Sequence, residues 1–341
     1  MSRQIVIHPS FERVWPLVPD VLNDGWPDAT LTRLAIDDDR TLEGAIADPT
    51  AVEQLIALGV STTADTPAAF PALREAAIFT DGYGCDEAVA TAFRAAGVTL
   101  HQHGSEGFWG QSVAECAVGL TICGLRRIPQ LHQAIQTSHE PWDYEPDGDP
   151  GPGKRGHQFG DDDRFIAGTI ADKRVRIVGT GNIGSRYAAA CSHLGADVAA
   201  YDPYADEPCF HRSGARRVHS LAELVDDAEI FAPLVPLLDG TRGLVDADLI
   251  NRLPTGTLIV LATRARVVDG AALRERVLAD DVALAADVWD GFVGEPIPLD
   301  EPLLGRHNVI HTPHIAGRTR HANREWARRL IDQFDASPST R

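Results

Sequence analysis

Three polar side chains each follow an apolar run that ends in a turn: Arg264 after "GTLIVLAT", Asp287 after "VALAA" and His314 after "NVIHTP". Glu295 lies between the last two, in a Glu-Pro pair. A histidine set between a proline and a run of small residues has three ordinary uses. It can be a satisfied structural group, a metal ligand, or an acid/base that exchanges a proton near neutral pH. An arginine in Arg264's setting is either a solvated surface group or an anchor that grips a carboxylate through two parallel bonds. Open α/β sheets bind ligands just past the carboxyl ends of their strands. An arginine, a carboxylate and a histidine, each past a strand of one such sheet, are not something core packing needs.

The sheet in question announces itself in "RVRIVGTGNIGSR", where Gly179, Gly181 and Gly184 have GxGxxG spacing directly after an apolar strand and open a helical pattern. The first glycine permits a tight turn, the second lets backbone approach a pyrophosphate, and the third lets helix pack on strand. The helix N-terminus then faces the phosphates. The next strand, "ADVAAYD", ends at Asp202, 18 residues after Gly184. A carboxylate there can accept bonds from the adenosine ribose and repels a 2′-phosphate, which points to NAD rather than NADP.

These side chains must be positioned by more than one domain, since 341 residues exceed an ordinary single core. The composition, 44% apolar and 23% charged, is that of a globular protein. The net charge of −18 opposes nucleic acid and anionic lipid as partners. No apolar run is long enough to span a bilayer, and the opening "MSRQIVIHPS" has no signal-peptide pattern. Five cysteines without a CxxC pair argue against a disulfide framework or a zinc site and fit a reducing cytoplasm.

Residues 1–108 alternate short strands ("QIVIH", "TLTRLAI", "EAAIF") with helical patterns, which describes a small parallel α/β unit. "SVAECAVGLTICGLRRIPQLHQAI" reads as one long helix opened by a capping box of Ser112 and Glu115. Residues 140–163 are rich in proline, glycine and aspartate and read as a long loop. A second α/β series follows, with Ser220 and Glu223 as another capping box. The expected fold is α/β, with two Rossmann-like or flavodoxin-like parallel-sheet domains and a cleft between them. Residues 1–108 plus 313–341 form a discontinuous substrate domain, and residues 109–312 the NAD-binding Rossmann domain.

The motifs "GYGCDEA", "SVAE", "VGTGNIG", "YDP", "VPLLDGTRGL", "RARVVD", "EPIPLDEPLL" and "TPHIAGRT", in that order over residues 82–319, resemble the D-isomer-specific 2-hydroxyacid dehydrogenase family. The resemblance implies that Arg264 binds the substrate carboxylate and keto oxygen, that His314 is the proton donor and acceptor, and that Glu295 is its carboxylate partner. It implies that backbone amides around Tyr83 and Gly84 hold the substrate carboxylate. Asn182 and Ile183 would line the pyrophosphate, Pro236 and Ala262 would complete the cofactor contacts, and Asp287 would sit near the nicotinamide carboxamide. It also implies a homodimer acting on a small 2-keto or 2-hydroxy acid, with no metal. The chemistry agrees: reduction needs a hydride on C2 and a proton on the nascent alkoxide, and imidazole can supply that proton.

Three departures from the family pattern concern this pocket. Ala265 replaces the usual glycine after the arginine, Leu261 replaces an asparagine three residues before it, and the stretch from Asp287 to Glu295 is longer. Asp290 therefore competes with Glu295 as the histidine's partner. A retained triad is also compatible with an NAD(H)-sensing binding protein of little turnover. His101, His103 and Trp109 either line a substrate pocket or pack structurally.

Overall fold

The computed structural model describes residues 2–81, 84–103, 107–139, 141–142, 161–162 and 164–336. Tyr83 and almost all of the 140–163 segment lie outside the described residues. The chain divides into two compact units, Met1–Trp109 with Arg318–Arg341, and Gly110–Gly317.

The first unit is built on a parallel sheet of order β2-β1-β3-β4-β5, the flavodoxin-like order. Its strands are β1 (Arg3–Ile7), β2 (Thr30–Arg33), β3 (Gln54–Leu58), β4 (Glu75–Phe79) and β5 (Thr99–Leu100). The inner strands read "LIAL" and "AAIF" because both faces are covered. Successive side chains feed two separate cores, Ile5, Ile7, Ile56 and Leu58 on one face and Val6, Leu55 and Ala57 on the other. The first face is closed by helix α1 (Val18–Gly25) and by the helix Arg320–Ala336, whose Ala322, Trp326, Leu330 and Phe334 recur every four residues and are buried. Helix α2 (Glu87–Ala95) packs Val89 and Phe93 on the second face.

His101, His103 and Trp109 belong to the packing of this unit. His101 Nε2 lies 2.8 Å from Glu75 Oε2, and its ring centre is 4.3 Å from that of Phe334. His103 packs among Phe79, Phe108 and Trp326, and burial pushes its pKa down to about 4. Trp109 sits edge-on to Phe108 at 4.4 Å.

The second unit opens with helix α3 (Gly110–Arg126). The expected capping box is corrected here. Ser112 is the third residue of the helix rather than its cap, and its hydroxyl donates to the Ala316 carbonyl. The expected single long helix is also broken. Arg127 adopts φ +52°, and a short helix Ile128–Ala134 restarts with Pro129 in its first turn, where a proline is tolerated.

The second sheet is parallel throughout, in the order β12-β11-β10-β9-β6-β7-β8. Its strands are β6 (Arg174–Val178), β7 (Asp197–Tyr201), β8 (Arg216–Arg217), β9 (Ile230–Pro233), β10 (Leu258–Leu261), β11 (Ala283–Ala286) and β12 (Val309–His311). Six of these reproduce the doubly wound dinucleotide-binding order, whose switch point falls between β6 and β9. The Ser220 cap is present, its side chain accepting from Glu223 N. Residues 313–317 stay with this unit, so the chain leaves it later than the 313 boundary read from sequence.

Candidate active site

Every expected nucleotide contact of this unit follows the carboxyl end of a strand in the same sheet. The glycines follow β6, Asp202 follows β7, Pro236 follows β9 and Ala262 follows β10. At the switch point Gly179 has φ +93°, and a Cβ there would meet Val235 Cγ1 at 2.7 Å. A Cβ on Gly184 would lie 2.0 Å from the Gly179 carbonyl oxygen, so helix α4 (Gly184–His193) can start this close to β6 only with glycine at both positions. Around Gly181 a Cβ would meet nothing within 4 Å, an open approach suited to a pyrophosphate. Ile183 is the N-cap of α4, and Asn182 is tied to the guanidinium of Arg186 one turn on.

Asp202 is half-buried at the tip of β7. Its Oδ2 accepts from Thr180 N at 2.8 Å, and its Oδ1 from Tyr204 N and Ala205 N at 2.9 and 3.1 Å. These bonds fix the carboxylate beside the glycine turn, as ribose recognition requires. The residues present therefore fit a bound NAD.

The other half of the site follows β10, β11 and β12. Leu261 pairs with Ala286, and Ala286 with His311, so Arg264, Asp287 and His314 leave the ends of three adjacent strands. Neighbouring strands are about 4.8 Å apart, which puts the roots of Arg264 and His314 roughly 10 Å from each other. Arg264 is half-buried, with extended backbone, and donates from one guanidinium nitrogen to the Thr263 carbonyl at 2.8 Å.

His314 Nδ1 lies 2.8 Å from Glu295 Oε2, and Glu295 Oε1 accepts from Trp289 N at 2.7 Å. Burial pushes the Glu295 carboxyl up, but the bonds from His314 and from the Trp289 and Asp290 backbones outweigh it and hold it below its ordinary range. The longer spacing is absorbed by a turn in which the amides of Phe292, Val293 and Gly294 all donate to the Trp289 carbonyl. That turn brings Glu295 back to the start of its own loop. Asp290 faces elsewhere, toward Ala265 N at 3.4 Å and the Arg266 guanidinium at 3.6 Å.

Asp287, expected near the nicotinamide carboxamide, follows β11 directly. It is fully buried and accepts from Thr312 Oγ1 at 2.6 Å, Ile315 N at 3.0 Å and Ala316 N at 2.8 Å. It thus anchors the loop that carries His314. Trp289 Nε1 adds a bond to the Thr312 carbonyl at 3.3 Å. Ser112, Thr312 and Trp289 were not singled out for the site in the sequence. Ser112 sits in the "SVAE" motif, where its spacing to Glu115 imitates a helix cap.

The two departures next to Arg264 point inward. Leu261 and Ala265 are both buried in the hydrophobic core of this unit. In the first unit, Gly84 donates its amide to Asp81 Oδ1 at 2.8 Å, and its carbonyl accepts from Thr80 N at 2.9 Å. Among the described residues no cluster of metal-ligating side chains occurs, and no helix is long and apolar enough to cross a membrane.

The second unit thus carries an Arg, a Glu–His pair and an anchoring Asp past the strand ends of a dinucleotide-binding sheet. Residues 118–316 match the family model described as "D-isomer specific 2-hydroxyacid dehydrogenase, NAD binding domain". The chain belongs to this family and binds NAD through that domain. It is 30% identical over 211 residues to the D-3-phosphoglycerate dehydrogenase of Archaeoglobus fulgidus, covering 62% of this chain and 36% of the relative. To the erythronate-4-phosphate dehydrogenase of Edwardsiella ictaluri it is 36% identical over 171 residues, 48% of this chain and 43% of the relative. The matched region thus spans less than half the length of these curated relatives. In fold it resembles the apo D-mandelate dehydrogenase of Rhodotorula graminis, with a TM-score of 0.69, 20% identity, and coverage of 98% of this chain and 94% of the other.

Proposed function

We propose that the protein interconverts a small 2-keto acid and its D-2-hydroxy acid, using Arg264 to anchor the substrate and His314 to move the proton. The observation that carries this reading is the His314–Glu295 pair at 2.8 Å, two strands from Arg264 on the nucleotide-binding sheet. The family's cofactor, NAD, supplies or accepts the hydride at C2 when bound along residues 179–184, Asp202, Pro236 and Ala262.

Glu295 takes Nδ1 of the imidazole and so directs Nε2 toward substrate. During reduction the Nε2 proton passes to the oxygen of the former carbonyl as the hydride reaches C2. In the oxidation direction the same nitrogen takes the hydroxyl proton. Arg264 grips the carboxylate through parallel N–H bonds and stabilises the negative charge that develops on the carbonyl oxygen. Gly84 and Tyr83 are assigned to the substrate carboxylate. For Gly84 the amide must exchange its bond to Asp81 for one to substrate.

The same proposal includes a homodimer in the cytoplasm. The five cysteines are all free thiols, which suits a reducing compartment. The test is NADH consumption against a panel of small 2-keto acids, with and without a phosphate, for the wild-type protein and His314→Ala. Turnover that the substitution abolishes while NADH still binds supports the dehydrogenase. Tight NADH binding with no turnover on any acid would sink it and favour a cofactor-sensing role.

A further inference from the structure

His314 is held in a backbone conformation that side chains avoid, with φ +55°. Such a conformation persists only where the surroundings over-determine it. The surroundings here are two buried side chains that grip the following residues from opposite sides. Asp287, from the end of β11, takes the amides of Ile315 and Ala316. Ser112, from the first turn of α3, donates its hydroxyl to the Ala316 carbonyl at 2.5 Å. Both backbone polar groups of Ala316 are therefore bonded to side chains remote in sequence, one of them 204 residues away.

Satisfying a buried carbonyl would be reason enough for a serine. The location adds something more. Gly110 begins this unit and Gly317 ends it, so the Ser112–Ala316 bond joins the chain where it enters the unit to the chain where it leaves. His314 is two residues from that bond. If the bond is lost, Asp287 still holds the amide side of the loop, but the carbonyl side has no fixed direction. The peptide planes after His314 can then rotate, and the imidazole loses its aim before the Glu295 bond does.

We propose that Ser112 is a positioning residue for His314, its hydroxyl locking the loop in the left-handed turn that presents the imidazole. The inference rests on the acid/base role proposed above for His314. In Ser112→Ala the turnover number falls by about 10²-fold, the scale at which a displacement of about 1 Å is felt in catalysis. KM and NADH affinity stay close to wild type, while the unfolding midpoint falls modestly because the buried Ala316 carbonyl loses its donor. Ser112→Cys, with a group of similar size and a weaker donor, falls between the two.

A second readout needs no turnover. Hydrogen–deuterium exchange in the peptide spanning 312–317 accelerates in Ser112→Ala, while exchange around 179–184 is unchanged. An unaltered turnover number and unaltered 312–317 exchange overturn the proposal. So does a parallel loss of turnover, NADH affinity and stability, which marks a purely structural serine. If the wild-type protein reduces no 2-keto acid, the acid/base reading fails, and the exchange experiment still decides whether Ser112 holds the loop.

Discussion

His314 Nδ1 and Glu295 Oε2 are 2.8 Å apart, and the second oxygen of the same carboxylate accepts from Trp289 N. The carboxylate is thus fixed from its own backbone before it fixes the imidazole. Glu295 is 19 residues from His314 in sequence, and the turn closed on the Trp289 carbonyl is what brings it into reach.

Glu295→Gln removes the charge and leaves one acceptor oxygen where two are used, so its NH2 faces either His314 Nδ1 or the Trp289 amide. Turnover of the preferred 2-keto acid is expected to fall about 10²-fold, within the range of positioned acid–base catalysis. NADH affinity, measured by fluorescence titration, should stay within about twofold, because none of the bonds to the glycine turn change.

The same carboxyl makes stability depend on acid. Its folded pKa lies below its ordinary value, so its contribution is complete above the unfolded value and is lost as pH falls through the folded one. Between about pH 5 and pH 3 the wild-type melting temperature should drop more steeply than that of Glu295→Gln. Equal slopes would mean that the Glu295 bonds add nothing to stability.

Asp202→Asn carries no charge and keeps one acceptor oxygen, for the Tyr204 and Ala205 amides or for Thr180 but not for both sides. The Kd for NADH should rise about tenfold, the loss of roughly 1.4 kcal/mol in hydrogen bonding to a charged acceptor. NADPH should bind better relative to NADH than it does to wild type, since the repulsion of the 2′-phosphate is gone. An unchanged ratio would place ribose recognition elsewhere.

Gly184→Ala puts a methyl carbon 2.0 Å from the Gly179 carbonyl oxygen, which is backbone and cannot step aside cheaply. A loss of about 3 kcal/mol is expected from overpacking, read as a lower urea midpoint at unchanged slope. Gly181→Ala meets open space. It should leave stability within about 0.5 kcal/mol while weakening NADH binding, because the methyl occupies the pyrophosphate approach.

Arg264→Lys preserves charge but not the planar fork. The expected result is a fall of about 10²-fold in kcat/KM for 2-keto acids, from the lost parallel bonds and the weaker stabilisation of the carbonyl oxygen. A variant as active as wild type would show that a point charge suffices.

Much of this protein could be read from local pattern. Apolar runs such as "LIVL" and "ALAA", together with glycines at turn-forming spacing, require strands covered on both faces and a tight turn after β6, whatever surrounds them. The same logic made Arg264, Asp202 and His314 candidates, because residue type and position past a strand are properties of the linear chain; Glu295 was a candidate through the family resemblance and its Glu-Pro context. Where the signal was shared between two structures, it misled. Ser112 and Glu115 have the spacing of a capping box, yet the helix begins earlier and the serine turns to Ala316. The continuous apolar pattern through Ile135 gave no hint of the break at Arg127, beyond the proline two residues later.

What only the tertiary structure decided is where the polar groups point. Asp287 looks like any carboxylate at a strand end. It becomes an anchor because β12 pairs with β11 in a register that sets the amides of Ile315 and Ala316 over its oxygens. The choice between Asp290 and Glu295 likewise depended on a turn whose closure is a backbone event, invisible in side-chain spacing. Strand periodicity and glycine geometry are local, so the sequence determines them by itself. Hydrogen bonds between residues tens or hundreds of positions apart exist only once the sheet has aligned its strands, and these are the bonds that aim His314.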